Sequence, residues 1–110
     1  ECVKFAEEQA EKFGVRAPMV GHMGDGNFHV ILPFDPENKE SYKKIRAFND
    51  TLIKKSLELN GTITGEHGVG LHKKEYLLEQ HPDNIPVMKS IKRTLDPNNI
   101  MNPGKIFDLN

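Results

Sequence analysis

Four side chains able to do chemistry stand in two glycine-rich stretches. His22 and His29 bracket Gly21-His22-Met23-Gly24-Asp25-Gly26-Asn27-Phe28-His29, and Glu66 and His67 lie in Gly65-Glu66-His67-Gly68-Val69-Gly70. Imidazole nitrogens and carboxylate oxygens are donors for divalent cations, and two histidines with one carboxylate leave coordination positions open for a substrate. Asp25-Gly26 favours a two-residue type I′ turn, which pairs Gly24 with Asn27, Met23 with Phe28 and His22 with His29. Cross-strand partners have Cβ atoms ~5 Å apart, so two imidazoles could converge on one ion at about 2.1 Å from each nitrogen. Met23 and Phe28 are then expected on the opposite face, in the core.

A hairpin can equally carry two histidines as plain polar residues, so a third donor is required. Glu66 is the best candidate, because the glycines at 65, 68 and 70 would permit close approach. If this segment is extended, His67 points away from Glu66 and suits a base acting on a metal-held substrate better than a ligand. A cation nearby also favours the unprotonated imidazole that a base must be. The two glycine segments share a Gly-x-x-Gly-x-Gly spacing that could suggest phosphate loops, but neither has the order of a dinucleotide or P-loop motif. His72 and His81 have no ligand-type neighbours at suitable spacing and read as surface residues. Lys73 and Lys74 read as a solvated pair.

The elements that must carry these residues follow from periodicity. Residues 2 to 13 place Val3, Phe5, Ala6, Ala10 and Phe13 at helical spacing, with Gly14 as terminator. From Pro18 to Phe34 the pattern predicts a β-hairpin. A second helix is expected to start at Asp35-Pro36, to carry Tyr42, Ile45, Phe48, Leu52, Ile53 and Leu57 on one face, and to close at Gly61. Residues 61 to 70 hold four glycines and predict a short strand running into a functional loop. A short helix over Lys73 to Gln80 and another through Ile85, Met88, Ile91 and Leu95 follow, the latter with Pro86 in its first turn and Asp96-Pro97 at its end. Asn98 to Asn110 reads as a coil tail. The order is α+β, with helices packed on one face of a small antiparallel, ferredoxin-like sheet.

Composition narrows the function classes. The 110 residues suit one small domain and fall short of what a complete cofactor-dependent enzyme usually needs. The net charge of −1, with lysines interleaved among acids, offers no basic stripe for nucleic acid. Cys2 is the single cysteine, which excludes an internal disulfide framework and is compatible with a reducing compartment. No apolar run approaches the ~20 residues of a membrane span, and the first residues lack signal-peptide character. The cytoplasm, or the periphery of a membrane through a partner subunit, is the expected location. The opening Glu-Cys-Val-Lys without Met reads as a helix already under way in a trimmed fragment.

Three segments in order now carry a resemblance: the His22 to His29 motif, Gly65-Glu66-His67-Gly68-Val69-Gly70 with Lys73 beyond it, and Asp96-Pro97 followed by Asn102-Pro103-Gly104-Lys105. Together, from about residue 18 to the end, they resemble the C-terminal domain of FAD-linked oxidases, the family of D-lactate dehydrogenases, the glycolate oxidase catalytic subunit and D-2-hydroxyglutarate dehydrogenase. The resemblance implies that residues 1–110 are the C-terminal part of a substrate and cap domain, and that an absent N-terminal domain binds FAD. It further implies a divalent metal, zinc foremost with manganese or ferrous iron as alternatives, held by His22, His29 and Glu66, with His67 as catalytic base. The metal would bind the oxygens of a small 2-hydroxy acid while His67 takes the hydroxyl proton and hydride passes from the α-carbon to flavin. Asn27 and Lys73 are implied beside the substrate, and Asn102, Gly104 and Lys105 near the flavin. The electron acceptor stays open among quinone, cytochrome, an iron–sulfur subunit and an electron-transfer flavoprotein. Ile31 stands where some 2-hydroxyglutarate-type members carry Asn, which favours a glycolate or D-lactate type.

Two other classes compete with this reading: a free-standing metal-binding module without redox activity, and a hydrolase-like site in which His67 activates water. By itself the fragment is expected to be inactive.

Overall fold

Alternating charged and apolar residues at helical spacing make the first helix, α1 (Cys2–Phe13), whose bounds match those read from sequence. The computed structural model describes residues 1–110 and adds β1 (Met19–Val20), β2 (His29–Val30), α2 (Lys39–Glu58), α3 (Lys74–Gln80) and α4 (Ile85–Leu95). The α+β class stands, with four helices and one antiparallel sheet that in this chain has two strands. The chain divides into two units, Glu1–Gly61 and Thr62–Asn110.

In the first unit α1 packs on α2. Gly14 ends α1 in the left-handed conformation (φ 64), and the N–H groups of Gly14 and Val15 return to the carbonyls of Glu11 and Ala10 at 3.1 and 3.0 Å. These paired bonds satisfy carbonyls that a helix end otherwise leaves open. Ala6 and Phe48 are fully buried and Ile53 nearly so. The ring of Phe13 meets that of Phe48 edge to face, with centroids 6.2 Å apart at 78°. The Lys55 ammonium lies 5.5 Å from the centroid of the Phe5 ring.

Helix α2 starts later than Asp35-Pro36. The Asp35 carboxylate accepts from the Glu37 N–H at 3.0 Å and its carbonyl accepts from the Asn38 N–H at 3.0 Å, which spends both acceptors on a turn ahead of the helix. Asn38 is the N-cap instead, its side-chain oxygen accepting from the N–H groups of Glu40 and Ser41 at 3.1 and 3.0 Å. At the other end Asn60, not Gly61, supplies the left-handed turn (φ 58). Gly61 is needed for a different reason: a Cβ there would lie 2.5 Å from the Ser56 hydroxyl and 2.9 Å from its carbonyl oxygen.

In the second unit Ile63, Leu77 and Ile85 are buried. Here the strand expected around Ile63 does not form. The Ile63 N–H and the Thr62 hydroxyl both donate to the Gln80 side-chain oxygen, at 3.3 and 3.2 Å, so a side chain does what a neighbouring strand would have done. Helices α3 and α4 match the expected spans within a residue, and α4 begins with Pro86 in its first turn. Asp96, expected only as a helix stop, is buried at 6% exposure. Its carboxylate accepts from the Lys92 ammonium and from the N–H groups of Ile100 and Met101 at 3.0 and 2.9 Å. The Lys92 contact first, helped by these two N–H groups and opposed by burial, holds the Asp96 carboxyl below the usual carboxylate range.

Two outcomes follow for stability. Phe48→Ala should lower the unfolding free energy by about 3–5 kcal/mol, and Asn38→Ala by about 1 kcal/mol, in urea titrations; an unchanged midpoint for Phe48→Ala would refute the core described. Because the folded state depresses the Asp96 carboxyl, its contribution is fully present above the unfolded value of about 3.9 and is lost as pH falls through the lower folded value. The stability–pH curve of Asp96→Asn should therefore be flatter than the parent's below about pH 4, and parallel curves in that window would count against the buried ion pair.

Candidate functional site

The first pair of donors sits on the hairpin, but in a different register from the one Asp25-Gly26 suggests. Met19 pairs with Val30 and Val20 with His29. Beyond them the His22 carbonyl accepts from the N–H groups of both Asp25 and Asn27, at 2.9 and 3.3 Å, so the loop is Met23 to Gly26 rather than two residues. A type I′ turn needs positive φ at both central positions. Only Gly26 has it (φ 74), while Asp25 closes a single 3₁₀ turn over Met23–Asp25. His22 therefore stands opposite Asn27 instead of His29, and the two histidines are diagonal rather than facing. Diagonal neighbours are about 7–8 Å apart and still within reach of long side chains. Met23, expected in the core, is 59% exposed because the loop carries it out.

Gly21 makes this turn possible. A Cβ at that position would lie 2.6 Å from the Phe28 Cα and 2.8 Å from the Asn27 carbonyl oxygen, so the arms close to a distance that only glycine allows. His22 is exposed, while Asn27 and His29 are half-buried.

The second pair of donors occupies a turn in the other unit. The Gly68 N–H donates to the Gly65 carbonyl at 3.2 Å, which puts Glu66 and His67 at the two central positions. The segment is thus not extended, and the alternation that would have pointed the two side chains apart does not operate. Instead the Glu66 Oε1 and His67 Nε2 atoms lie 3.6 Å apart, both side chains well exposed. Gly68 (φ 71) and Gly70 (φ 56) have open space where a Cβ would stand. These glycines serve left-handed backbone, not the close approach expected of them. The Thr64 hydroxyl spans the turn by donating to the Gly68 carbonyl at 2.6 Å, and it accepts from the Lys73 ammonium at 3.4 Å.

Lys73 and Lys74 are therefore not a solvated pair. The Lys74 ammonium donates to both oxygens of Asp108 at 2.8 and 3.0 Å and to the Gly104 carbonyl at 3.2 Å. The terminal segment is pinned in turn: the Lys105 N–H reaches the Asn102 carbonyl at 3.3 Å, and the Ile106 N–H reaches the Gly70 carbonyl at 2.8 Å. Asn102 and Lys105 are exposed, and Gly104 is half-buried with φ 70. Cys2 lies on α1, where partial burial pushes its thiol up and keeps it protonated. No sequence signal marked Thr64, whose hydroxyl bonds across an irregular turn, or Lys74, whose partners lie far along the chain.

The profile described as "FAD linked oxidases, C-terminal domain" matches residues 1–106. The chain belongs to this family. It is 44% identical over 96 residues to a probable mitochondrial D-lactate dehydrogenase of Danio rerio, covering 86% of this chain and 19% of that protein. Against glycolate oxidase subunit GlcD of Bacillus subtilis it is 41% identical over 106 residues, covering 96% of this chain and 23% of the relative. A D-2-hydroxyglutarate dehydrogenase of Stutzerimonas stutzeri is 42% identical over 90 residues, covering 79% of this chain and 19% of the relative. The chain thus spans about a fifth of the length of these curated relatives. No helix in it is long and apolar enough to cross a membrane.

Replacing Gly21 tests the hairpin of this FAD-linked oxidase domain directly. Gly21→Ala should cost more than about 2 kcal/mol, since the added methyl meets backbone on the opposite arm. An alanine variant that melts with the parent would mean that the two arms are further apart than described.

Proposed function

We propose that residues 1–110 form the C-terminal part of the substrate domain of an FAD-dependent dehydrogenase of 2-hydroxy acids, of glycolate or D-lactate type. The observation that carries the reading is the match over residues 1–106, joined to relatives named for lactate, glycolate and 2-hydroxyglutarate. All three are 2-hydroxy acids, so their shared chemistry is loss of a hydride from the α-carbon and of a proton from the hydroxyl.

The donor chemistry fits a divalent metal: two imidazoles and a carboxylate, His22, His29 and Glu66, none of them fully buried. Zinc, manganese and ferrous iron all accept this set. When bound, such a cation supplies Lewis acidity toward the substrate oxygens, and flavin supplies the two-electron acceptor. The chain's own residues do the rest. His67 Nε2 takes the hydroxyl proton as general base. Lys73 offers a cation to the substrate carboxylate, and Asn27 an amide to its oxygens. Asn102, Gly104 and Lys105 would help hold the flavin when it is bound. Ile31, 51% exposed on the second arm of the hairpin, offers no polar group to a longer diacid, which favours the shorter substrates.

Electrons would leave the flavin through an iron–sulfur subunit or an electron-transfer flavoprotein, with the enzyme in the cytoplasm or docked at a membrane by that partner. The kinship with relatives named as dehydrogenases and a glycolate oxidase subunit favours this redox reading over an isolated metal-binding module or a hydrolase.

Metal content by plasma mass spectrometry of the full-length protein, reloaded with zinc or manganese, tests the assignment. About one equivalent is expected in the parent, with loss in His22→Ala, His29→Ala and Glu66→Ala and retention in His67→Ala. Anaerobic flavin bleaching by glycolate or D-lactate should fall by about 10²-fold or more in His67→Ala. Metal-free parent protein under saturating zinc, or His67→Ala bleaching at the parent rate, would defeat the reading.

A further inference from the structure

We infer that Thr64 is a positioning residue, whose hydroxyl sets both the turn that presents Glu66 and His67 and the ammonium of Lys73. The inference rests on the reading above for what that turn does, and on hydrogen bonds within one unit for how it is held. A hydroxyl has one proton and two lone pairs. In Thr64 the proton goes to the Gly68 carbonyl at 2.6 Å, and a lone pair takes the Lys73 ammonium at 3.4 Å. The first bond closes the turn from outside, around the Gly68 N–H to Gly65 carbonyl bond at 3.2 Å that closes it from inside.

The outer bond adds a second tie across a turn whose inner bond joins two glycines, the residues that lose most conformational entropy when ordered. Glu66 and His67 are exposed, so little packing is available to hold them. Thr64 is half-buried and follows the buried Ile63, whose N–H is fixed by the Gln80 side chain at 3.3 Å. The turn is thereby referred to the one well-packed point in its neighbourhood. Lys73, just ahead of α3, brings a charged donor to the same oxygen, and the hydroxyl fixes where that ammonium sits.

Substitution at Thr64 separates this role from a general structural one. Thr64→Val keeps shape and β-branching but has no hydroxyl, whereas Thr64→Ser keeps the hydroxyl and drops the methyl. In hydrogen–deuterium exchange on the full-length protein, Thr64→Val should speed exchange across residues 62–72 by about tenfold and leave α2 and α4 at parent rates. With a 2-hydroxy acid as substrate, kcat should fall by about 10–100-fold, because the base is misplaced rather than absent. Thr64→Ser should restore both readouts to within about threefold. The inference is overturned if Thr64→Val exchanges like the parent, if its exchange rises equally in α4, or if Thr64→Ser is as impaired as Thr64→Val. A parent protein that oxidises no 2-hydroxy acid would sink the functional reading alone, leaving the exchange data to decide whether Thr64 holds the turn.

Discussion

The second unit depends on where the backbone of its irregular segments finds hydrogen bonds. Thr62–Asn110 contains two helices and no strand, so neither the stretch ahead of Lys74 nor the tail after Asp96 can be satisfied by a ladder. For the tail, helix-borne cations take over that task. Lys74 reaches the Gly104 carbonyl and the Asp108 carboxylate, Lys89 the Asn110 carbonyl, Lys92 the Met101 carbonyl and Arg93 the Leu109 carbonyl. Bonds from charged donors are the stronger class, and here they substitute for tertiary packing that so short a segment cannot provide. Asp96 completes the arrangement by accepting from Lys92 and from two tail N–H groups at once.

That anchoring reaches the candidate site. Ile106 holds φ 69, a conformation that a β-branched residue resists, and its N–H bonds to the Gly70 carbonyl at 2.8 Å. Strain of this kind persists only where the surroundings over-determine the backbone, and the Lys74 contacts to Gly104 and Asp108 on either side of Ile106 do so. The loop carrying Glu66 and His67 is thus tied down at its far end by the tail, and at its near end by Thr64. Fixing a loop with a few polar bonds leaves its side chains accessible, which a buried anchor would not.

Periodicity made the helices legible because their signals are local: Gly14 and Pro86 each act within one turn of their own position, whereas α2 was expected to start too early, at Asp35-Pro36, because the Asn38 cap was passed over. The hairpin was legible as a hairpin but its register was not. Asp25-Gly26 is a strong local preference, yet the Gly21 approach to Phe28 outweighs it and moves the loop outward. The strand at Ile63 failed for a related reason: glycines and β-branched residues describe an extended chain, and only the distant Gln80 shows that no partner strand is present. Asp96, Lys74 and Thr64 were read as a helix stop, a solvated charge and nothing in particular: the partners of Lys74 lie far along the chain, while those of Asp96 and Thr64 are near in sequence but meet them only through turns that no local pattern announces. The candidate donors were picked out by residue type and glycine-rich surroundings, signals that say nothing of how their side chains are placed.

Residue type also has to separate the roles of Glu66 and His67, since geometry does not. Both stand at the centre of one turn with their polar atoms 3.6 Å apart, so neither is set aside by direction. A carboxylate brings a full negative charge to a cation and offsets part of its charge, which an imidazole cannot do. An imidazole that stays unligated keeps a lone pair at the edge of the same site and can accept a proton there, and the adjacent carboxylate then stabilises the imidazolium formed. If His67 were the ligand, the proton would have to go to Glu66, and a carboxylate is a weaker proton acceptor than an imidazole. On the proposed reading, charge and basicity favour Glu66 as the ligand and His67 as the base, and the turn supplies only their nearness.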